Sequence, residues 1–366
     1  MKTTNNKKEF HILVLNVGST STKVALYSNT EPVIRETFVY RQEGTAPSVP
    51  DLKTQLPQRE KDLNSFIEDH AIDMEKLDII VSRGGLCRPG PSGVYDISPA
   101  MCDDMLVGRY GTHVSALGPA IALSMARKHN LRAIIVDPPS TDEFDAVARF
   151  SGIPHIERKS AFHALNQKTA ARKAAGKLSR NYEDVNLIVA HLGGGITIGA
   201  HNKGRVVDST HGLSEGPFTP ERAGTLPTSE MIDLISSGEF ENENLRTLLV
   251  SRGGLVGYFG TNRAEEVETR IEKGDEGARL IYQAMAYQIA KDIGAMSTVL
   301  KGVVDGIVLT GGLAYSNLLV NWIADRTGFL APLFIFTGED EMEAMATGAL
   351  RLLQGKENSI DYDQIR

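Results

Sequence analysis

Two short stretches of this chain share one layout, and a chain that repeats a strand–turn–strand unit at a fixed offset is constrained to fold as two similar halves. Ile12 to Leu15 reads as a strand that resumes at Val24 to Tyr27 after a polar Gly/Ser/Thr turn. Leu187 to His191 reads as a strand that resumes at Ile196 to Ala200 after Gly193 to Gly195, then turns at Asn202-Lys203-Gly204 into Arg205 to Val207. Setting Asn16 on His191, an offset of 175 residues, aligns Val14 with Val189, Val17 with Leu192 and Gly18 with Gly193. Unrelated strand–turn–strand units can also align over so short a span. The repeat is therefore carried as an expectation of two similar halves around one cleft.

The rest of the chain alternates short β-rich runs with helical segments, the pattern of an α/β protein. Leu131 to Val136 is a further strand, ended by Asp137-Pro138-Pro139, which places Asp137 at a strand's carboxyl end, where ligands bind in open α/β sheets. Ile281, Met285, Ile289, Ile293 and Met296 recur at helical spacing and predict a long amphipathic helix over Glu276 to Val299. Gly306 to Leu309, Thr310-Gly311-Gly312 and a helix capped by Ser316 read as strand, turn and helix, an arrangement that offers backbone N–H groups to a phosphate or nucleotide. Gln42 to Arg59 reads as a surface excursion.

Charge narrows the partners. Lys and Arg total 39 against 46 Asp and Glu, a net charge of −7 and a pI near 5.8, which argues against a nucleic-acid or anionic-membrane binder. No apolar run approaches the roughly 20 residues that span a bilayer. Two cysteines, Cys87 and Cys102, form no disulfide framework or CxxC pair, so a reducing compartment, the cytoplasm, is expected. The 35 glycines exceed ordinary usage, and their positions carry the argument.

Asn16-Val17-Gly18-Ser19-Thr20-Ser21-Thr22-Lys23 sets four hydroxyl side chains and a lysine after a glycine, donors suited to a phosphoryl group, though the same run serves as a polar hairpin turn. Three glycines in succession within His191-Leu192-Gly193-Gly194-Gly195-Ile196-Thr197 cost conformational entropy that backbone approach to a ligand would offset; a glycine bulge is the plainer reading. Neither GxxxxGK[S/T] nor a strand-to-helix GxGxxG occurs, so phosphates must be held by another glycine-loop architecture.

These two runs resemble the two signatures of the acetate and butyrate kinase family, Asn-x-Gly-Ser-[Ser/Thr]-[Ser/Thr]-x-Lys and the Leu187 to Ala200 pattern. Similar segments run from Arg83-Gly84-Gly85 through Phe162-His163, Arg222 and Thr310-Gly311-Gly312 to Gly338 to Glu343, nearly the whole chain. Within the family, Arg83 to Pro89 and Ser214 to Gly224 are most similar to butyrate kinases. The resemblance implies a duplicated RNase H-like fold, as in actin, Hsp70 and sugar kinases, with two domains around a nucleotide cleft. These would be 1–155 with a C-terminal helix at about 345–366, and 156–344. It implies reversible transfer of the γ-phosphoryl group of ATP to a short-chain carboxylate with Mg2+, butyrate first and branched acids as further candidates. Acetate or propionate kinase, a sugar kinase, and an actin- or Hsp70-like ATP-switched binding module are the alternatives. The family context adds a homodimer or higher oligomer and a phosphate butyryltransferase as metabolic neighbour.

Residue roles follow from the same resemblance. Arg222 and His163 would contact the transferred phosphoryl group, and Asp137 would orient a magnesium-bound water. Asn16 and Glu341, with Glu343 as rival, would serve the metal; Ser19, Ser21, Lys23, His191, Gly193 and Gly195 the phosphates; Gly311 and Gly312 the nucleoside. Arg83, with Arg88 second, would bind the substrate carboxylate. In Phe162-His163-Ala164-Leu165-Asn166-Gln167, the second histidine of the acetate kinase motif is missing, which leaves its role without a carrier.

Overall fold

The structure, a computed structural model, describes residues 8–40, 52–338 and 340–365. Six strands come first: β1 His11–Val17, β2 Ser21–Ser28, β3 Glu31–Val39, β4 Ile79–Ser82, β5 Val94–Asp96 and β6 Ala133–Val136. Six follow: β7 Asn186–Leu192, β8 Ile196–Asn202, β9 Arg205–Ser209, β10 Gly306–Gly311, β11 Leu333–Thr337 and β12 Ser359–Ile360. Two compact units contain them, Met1–Thr141 with Asp340–Arg366, and Asp142–Glu339.

The first unit's sheet runs β12-β5-β6-β4-β1-β2-β3 and the second's β11-β10-β7-β8-β9. Stripped of β12 and β5, the orders correspond strand for strand. In each, three antiparallel strands form a meander whose first strand pairs in parallel with a fourth, and that with a fifth. The offset seen in the sequence is thus a structural repeat: adding 175 to the bounds of β1 gives those of β7. The turns are cousins and not copies. Gly18 N donates to Ser21 O at 2.8 Å, and Gly193 N to Gly195 O at 3.1 Å, across a turn one residue shorter.

Burial explains the strand composition. Ile12 to Val17 and Leu187 to Leu192 are continuous buried runs, as expected of central strands covered on both faces. Helices Leu117–His129 and Glu341–Leu353 pack on the first sheet, where Gly348 lets the second helix approach β6 so closely that a Cβ would lie 2.6 Å from Val136. In the second unit, the expected helix Glu276–Val299 buries Met285, Ile289, Ile293 and Met296 against the sheet, with Ile281 half-buried. Ser316 caps Asn317–Thr327 by accepting from Leu319 N at 3.0 Å.

One expectation changes. Of the surface excursion Gln42 to Arg59, residues 42–51 lie outside the described residues, but the remainder starts the helix Leu52–Asp69. Arg59 there is 1% exposed, donates to Thr22 Oγ1 at 2.6 Å and lies over the Tyr40 ring. Pro57 inside a polar helix hides its period. The junctions of the two compact units fall after Thr141 and before Asp340. Asp145 N donates to Val207 O at 2.9 Å and Glu143 pairs with buried Lys168 at 2.6 Å, tying this segment to the second unit. Among the described residues no helix is long and apolar enough to cross a membrane.

Candidate active site

In the second unit, the turn between β7 and β8 gathers four of the expected residues. Gly195 has no side chain because the Arg222 guanidinium occupies the space a Cβ would need. Arg222 is held by Nη1 donating to Gly212 O and by its own N donating to Thr219 Oγ1 at 2.9 Å. Thr219 Oγ1 in turn donates to Gly194 O at 2.6 Å, locking the arginine loop onto the glycine loop. The buried Nε of Arg222 has no hydrogen-bond partner. An unmet buried donor costs about 1–3 kcal/mol, a cost that an anionic ligand would remove. Burial also lowers the pKa of Arg222, opposed by Glu221, so the site is poorly solvated for charge.

His163 and His191 stack at 4.1 Å between ring centroids, beside this arginine. Burial, assisted by Arg222, lowers the His191 pKa to about 4, so its ring is neutral at neutral pH. This carries a stability prediction. The native value lies below the unfolded 6.5, so the stabilisation is complete above pH 6.5 and is lost as pH falls toward about 4. His191→Asn should flatten that acid loss by up to about 3 kcal/mol in urea titrations run from pH 7 to 4. An unchanged pH slope would count against a neutral buried His191. His201, also buried and lowered well below its usual value, should retain its own share.

A cavity of about 520 Å3 opens beside the same loop and is lined by Gly193, Gly194, Asn262, Gly312 and Tyr315 among others. Its size suits a nucleotide. Gly311, at φ +93°, leaves no room for a side chain, since a Cβ there would run into Leu192 O, while a Cβ on Gly312 would meet open space. Glu221 sits at this end, accepting from Asn262 Nδ2 at 2.7 Å.

The first unit assembles a separate group. Asn16, at the end of β1 and 6% exposed, donates Nδ2 to Glu341 Oε2 at 2.8 Å, and Arg83 Nη1 lies 3.2 Å from the same oxygen. Glu341 opens the helix capped by Asp340, whose side chain accepts from Glu343 N at 2.9 Å. Arg83 follows β4, and Gly85 after it permits close approach, since a Cβ would lie 2.9 Å from Ala116 Cα. Asp137, at the end of β6, is 2% exposed at φ +40°, with Oδ1 accepting from Gly93 N at 2.8 Å. A buried non-glycine residue in that left-handed region is strained by the order of 1–3 kcal/mol, a strain typical of functional positions.

Other expected residues stand apart. Arg88 is engaged by the chain's final residues, with Nη1 donating to Ile365 O at 2.8 Å and its guanidinium over the Tyr362 ring. Ser19 and Lys23 are exposed on the β1–β2 turn and β2, with Ser21 half-buried. Several residues escaped the sequence reading. Asn262 lies in a loop with no motif, and Thr219 and Gln167 belong to quoted runs but had no role. His113, whose pKa is lowered by burial first and Arg83 second and raised by Glu341, belongs with the first-unit group.

Magnesium can be judged on donor chemistry. Among the described residues no three His, Cys, Asp or Glu side chains are arranged to hold a metal. Asn16, Glu341 and Asp137 offer only hard oxygen donors, and Glu341 already faces a guanidinium. So sparse a set fits a hydrated Mg2+ carried largely by nucleotide phosphates, not a resident cage.

The sheet order repeated in both units is that of the actin- and Hsp70-like ATPase fold. Acetate kinase from Porphyromonas gingivalis shares it at TM-score 0.75 and 18% identity, over 94% of this chain and 100% of that one. Propionate kinase from Francisella tularensis does so at 0.72 and 20%, over 93% and 98%, and acetate kinase from Entamoeba histolytica at 0.70 and 17%, over 94% and 98%. Residues 147–324 match the model of the acetokinase family.

Proposed function

We propose that the chain is a butyrate kinase, interconverting butyrate and ATP with butyryl phosphate and ADP, with branched short-chain acids as further substrates. The observation that carries phosphoryl transfer is the Arg222 guanidinium, seated on Gly195 with its Nε unmet. Butyrate is favoured by the likeness of Arg83 to Pro89 and of Ser214 to Gly224 to butyrate kinases.

Phosphoryl transfer asks for alignment and charge neutralisation more than for covalent catalysis. Arg222 would hold equatorial oxygens of the moving group through its fork of N–H donors. His163 and His191, the latter neutral, would supply hydrogen bonds without adding charge, and the N–H groups of the glycine turn would add more. In the first unit, Arg83 would bind the acid's carboxylate, exchanging part of its pairing with Glu341. Asn16 and Glu341 would hold Mg2+, with Asp137 orienting a water of its shell; when bound, the ion would supply charge neutralisation to the phosphate oxygens. The buried, unbridged Cys87 and Cys102 accord with a cytoplasmic enzyme. We further propose a homodimer or larger, serving fermentation beside a phosphate butyryltransferase.

Purified protein with ATP, Mg2+ and acetate, propionate, butyrate or isobutyrate, with hydroxylamine trapping, tests this directly. Hydroxamate yield should peak at butyrate and fall in steps, since one methylene is worth about 1–3 kcal/mol in an apolar pocket. No hydroxamate from any acid would overturn the kinase reading, and an acetate or propionate optimum would move the chain to those relatives' specificity. In the same assay Arg83→Ala should raise the KM for the acid at least about tenfold, as expected for a lost charged hydrogen bond, while Arg88→Ala should mainly lower Tm.

A further inference from the structure

A buried chain of hydrogen bonds leads away from His163 and ends at Tyr182. His163 Nδ1 lies 2.9 Å from Thr197 Oγ1, and Gln167 Nε2 donates to the same oxygen at 2.9 Å and to Thr197 O at 3.0 Å. Gln167 Oε1 lies 3.0 Å from His201 Nε2, and His201 Nδ1 lies 2.7 Å from the Tyr182 hydroxyl. Gln167, Thr197 and His201 are fully buried and Tyr182 is 4% exposed. Gly199 makes room for the amide, since a Cβ there would lie 2.5 Å from Gln167 Oε1.

The proton positions follow one from another. The Thr197 carbonyl can only accept, so the Gln167 amide nitrogen must face it and Oε1 must face His201. That oxygen can only accept, so His201 Nε2 carries a hydrogen. Burial beside Lys168 and Arg172 keeps His201 neutral, so its Nδ1 accepts from Tyr182. At the other end, Thr197 Oγ1 already receives the amide of Gln167 and, at 3.4 Å, the backbone N–H of His163. Its single hydrogen is left to point at His163 Nδ1.

We propose that Thr197, Gln167, His201 and Tyr182 are positioning residues that fix His163 as the Nε2–H tautomer, a hydrogen-bond donor toward the phosphoryl group. Gln167 stands where the related acetate kinase motif has its second histidine, and here it passes orientation from His201 to Thr197. An amide with a fixed face does this without a titrating group. The inference rests on the proposed role of His163 in phosphoryl transfer.

The test uses the full chain labelled with 15N histidine. Long-range 1H–15N correlation spectra, assigned with His163→Asn, should show His163 with a protonated Nε2 and a bare Nδ1 in the absence of any substrate. A protonated Nδ1 at His163 would overturn the proposal whatever the enzyme's substrate. Thr197→Ser should keep the tautomer and kcat. Thr197→Val, which cannot donate, should shift the tautomer and lower kcat at least tenfold with KM for ATP changed less than about twofold. Tyr182→Phe should leave the fold intact and broaden the His201 signals. Wild-type kcat with an unshifted His163 in Thr197→Val would also overturn it. Should no acid be turned over, the spectra still decide the tautomer, so the two readings fail separately.

Discussion

Arg222→Ala should lower kcat by on the order of 10² or more while the KM for ATP changes by no more than a few-fold, the signature of a donor used chiefly in the transition state. The guanidinium is anchored by Gly212 O on one side and, through its backbone, by Thr219, so truncation removes the charge without unfastening the loop. Arg222→Lys should recover little, because an ammonium cannot reproduce a planar two-point contact. Hydroxamate kinetics with the best acid measure this. A variant that keeps normal kcat would remove Arg222 from the chemistry, and a variant that loses ATP binding alone would move it to ground-state recognition.

Gly195→Ala should reproduce most of that defect from the other side of the contact. The backbone at Gly195 is not left-handed, so alanine fits the chain, but its methyl would land on the Arg222 guanidinium. The obstacle is the end of a flexible side chain, so the fold should yield by moving Arg222 and not by unfolding. We expect kcat to fall on the order of 10² with Tm within a few degrees of wild type. Combining Gly195→Ala with Arg222→Ala should cost little beyond Arg222→Ala alone, because both remove one interaction. Additive losses in the double variant would mean that Gly195 matters for a ligand's approach and not for the arginine's seat.

Much of this was readable in the chain. The repeat was legible because β1 and β7 are continuous buried strands, and because each is followed at once by a glycine that opens a tight return. Arg222 was legible only through its likeness to a family motif, since nothing in local periodicity distinguishes it from a surface arginine beside Glu221. The helix from Leu52 was missed because Pro57 and polar neighbours mask its apolar face, and buried Arg59 is held by Thr22, a distant residue. Asn262 and His113 were missed for a related reason: each acquires its setting from segments far away in sequence. The gap left by the absent second histidine was visible in the sequence, but only the structure shows Gln167 bridging Thr197 and His201.

The first unit takes its last helix and strand from Asp340 onward, whereas the second is one unbroken segment. Order of synthesis and order of completion are therefore reversed. Residues up to Thr141 leave the ribosome first, yet β5 lacks its neighbour β12, Arg88 lacks Ile365 and Asn16 lacks Glu341 until the final segment emerges. The later-made unit can close its own sheet in the meantime. The pairing of Arg88 with Ile365 thus comes last, once translation has delivered the whole of the described architecture.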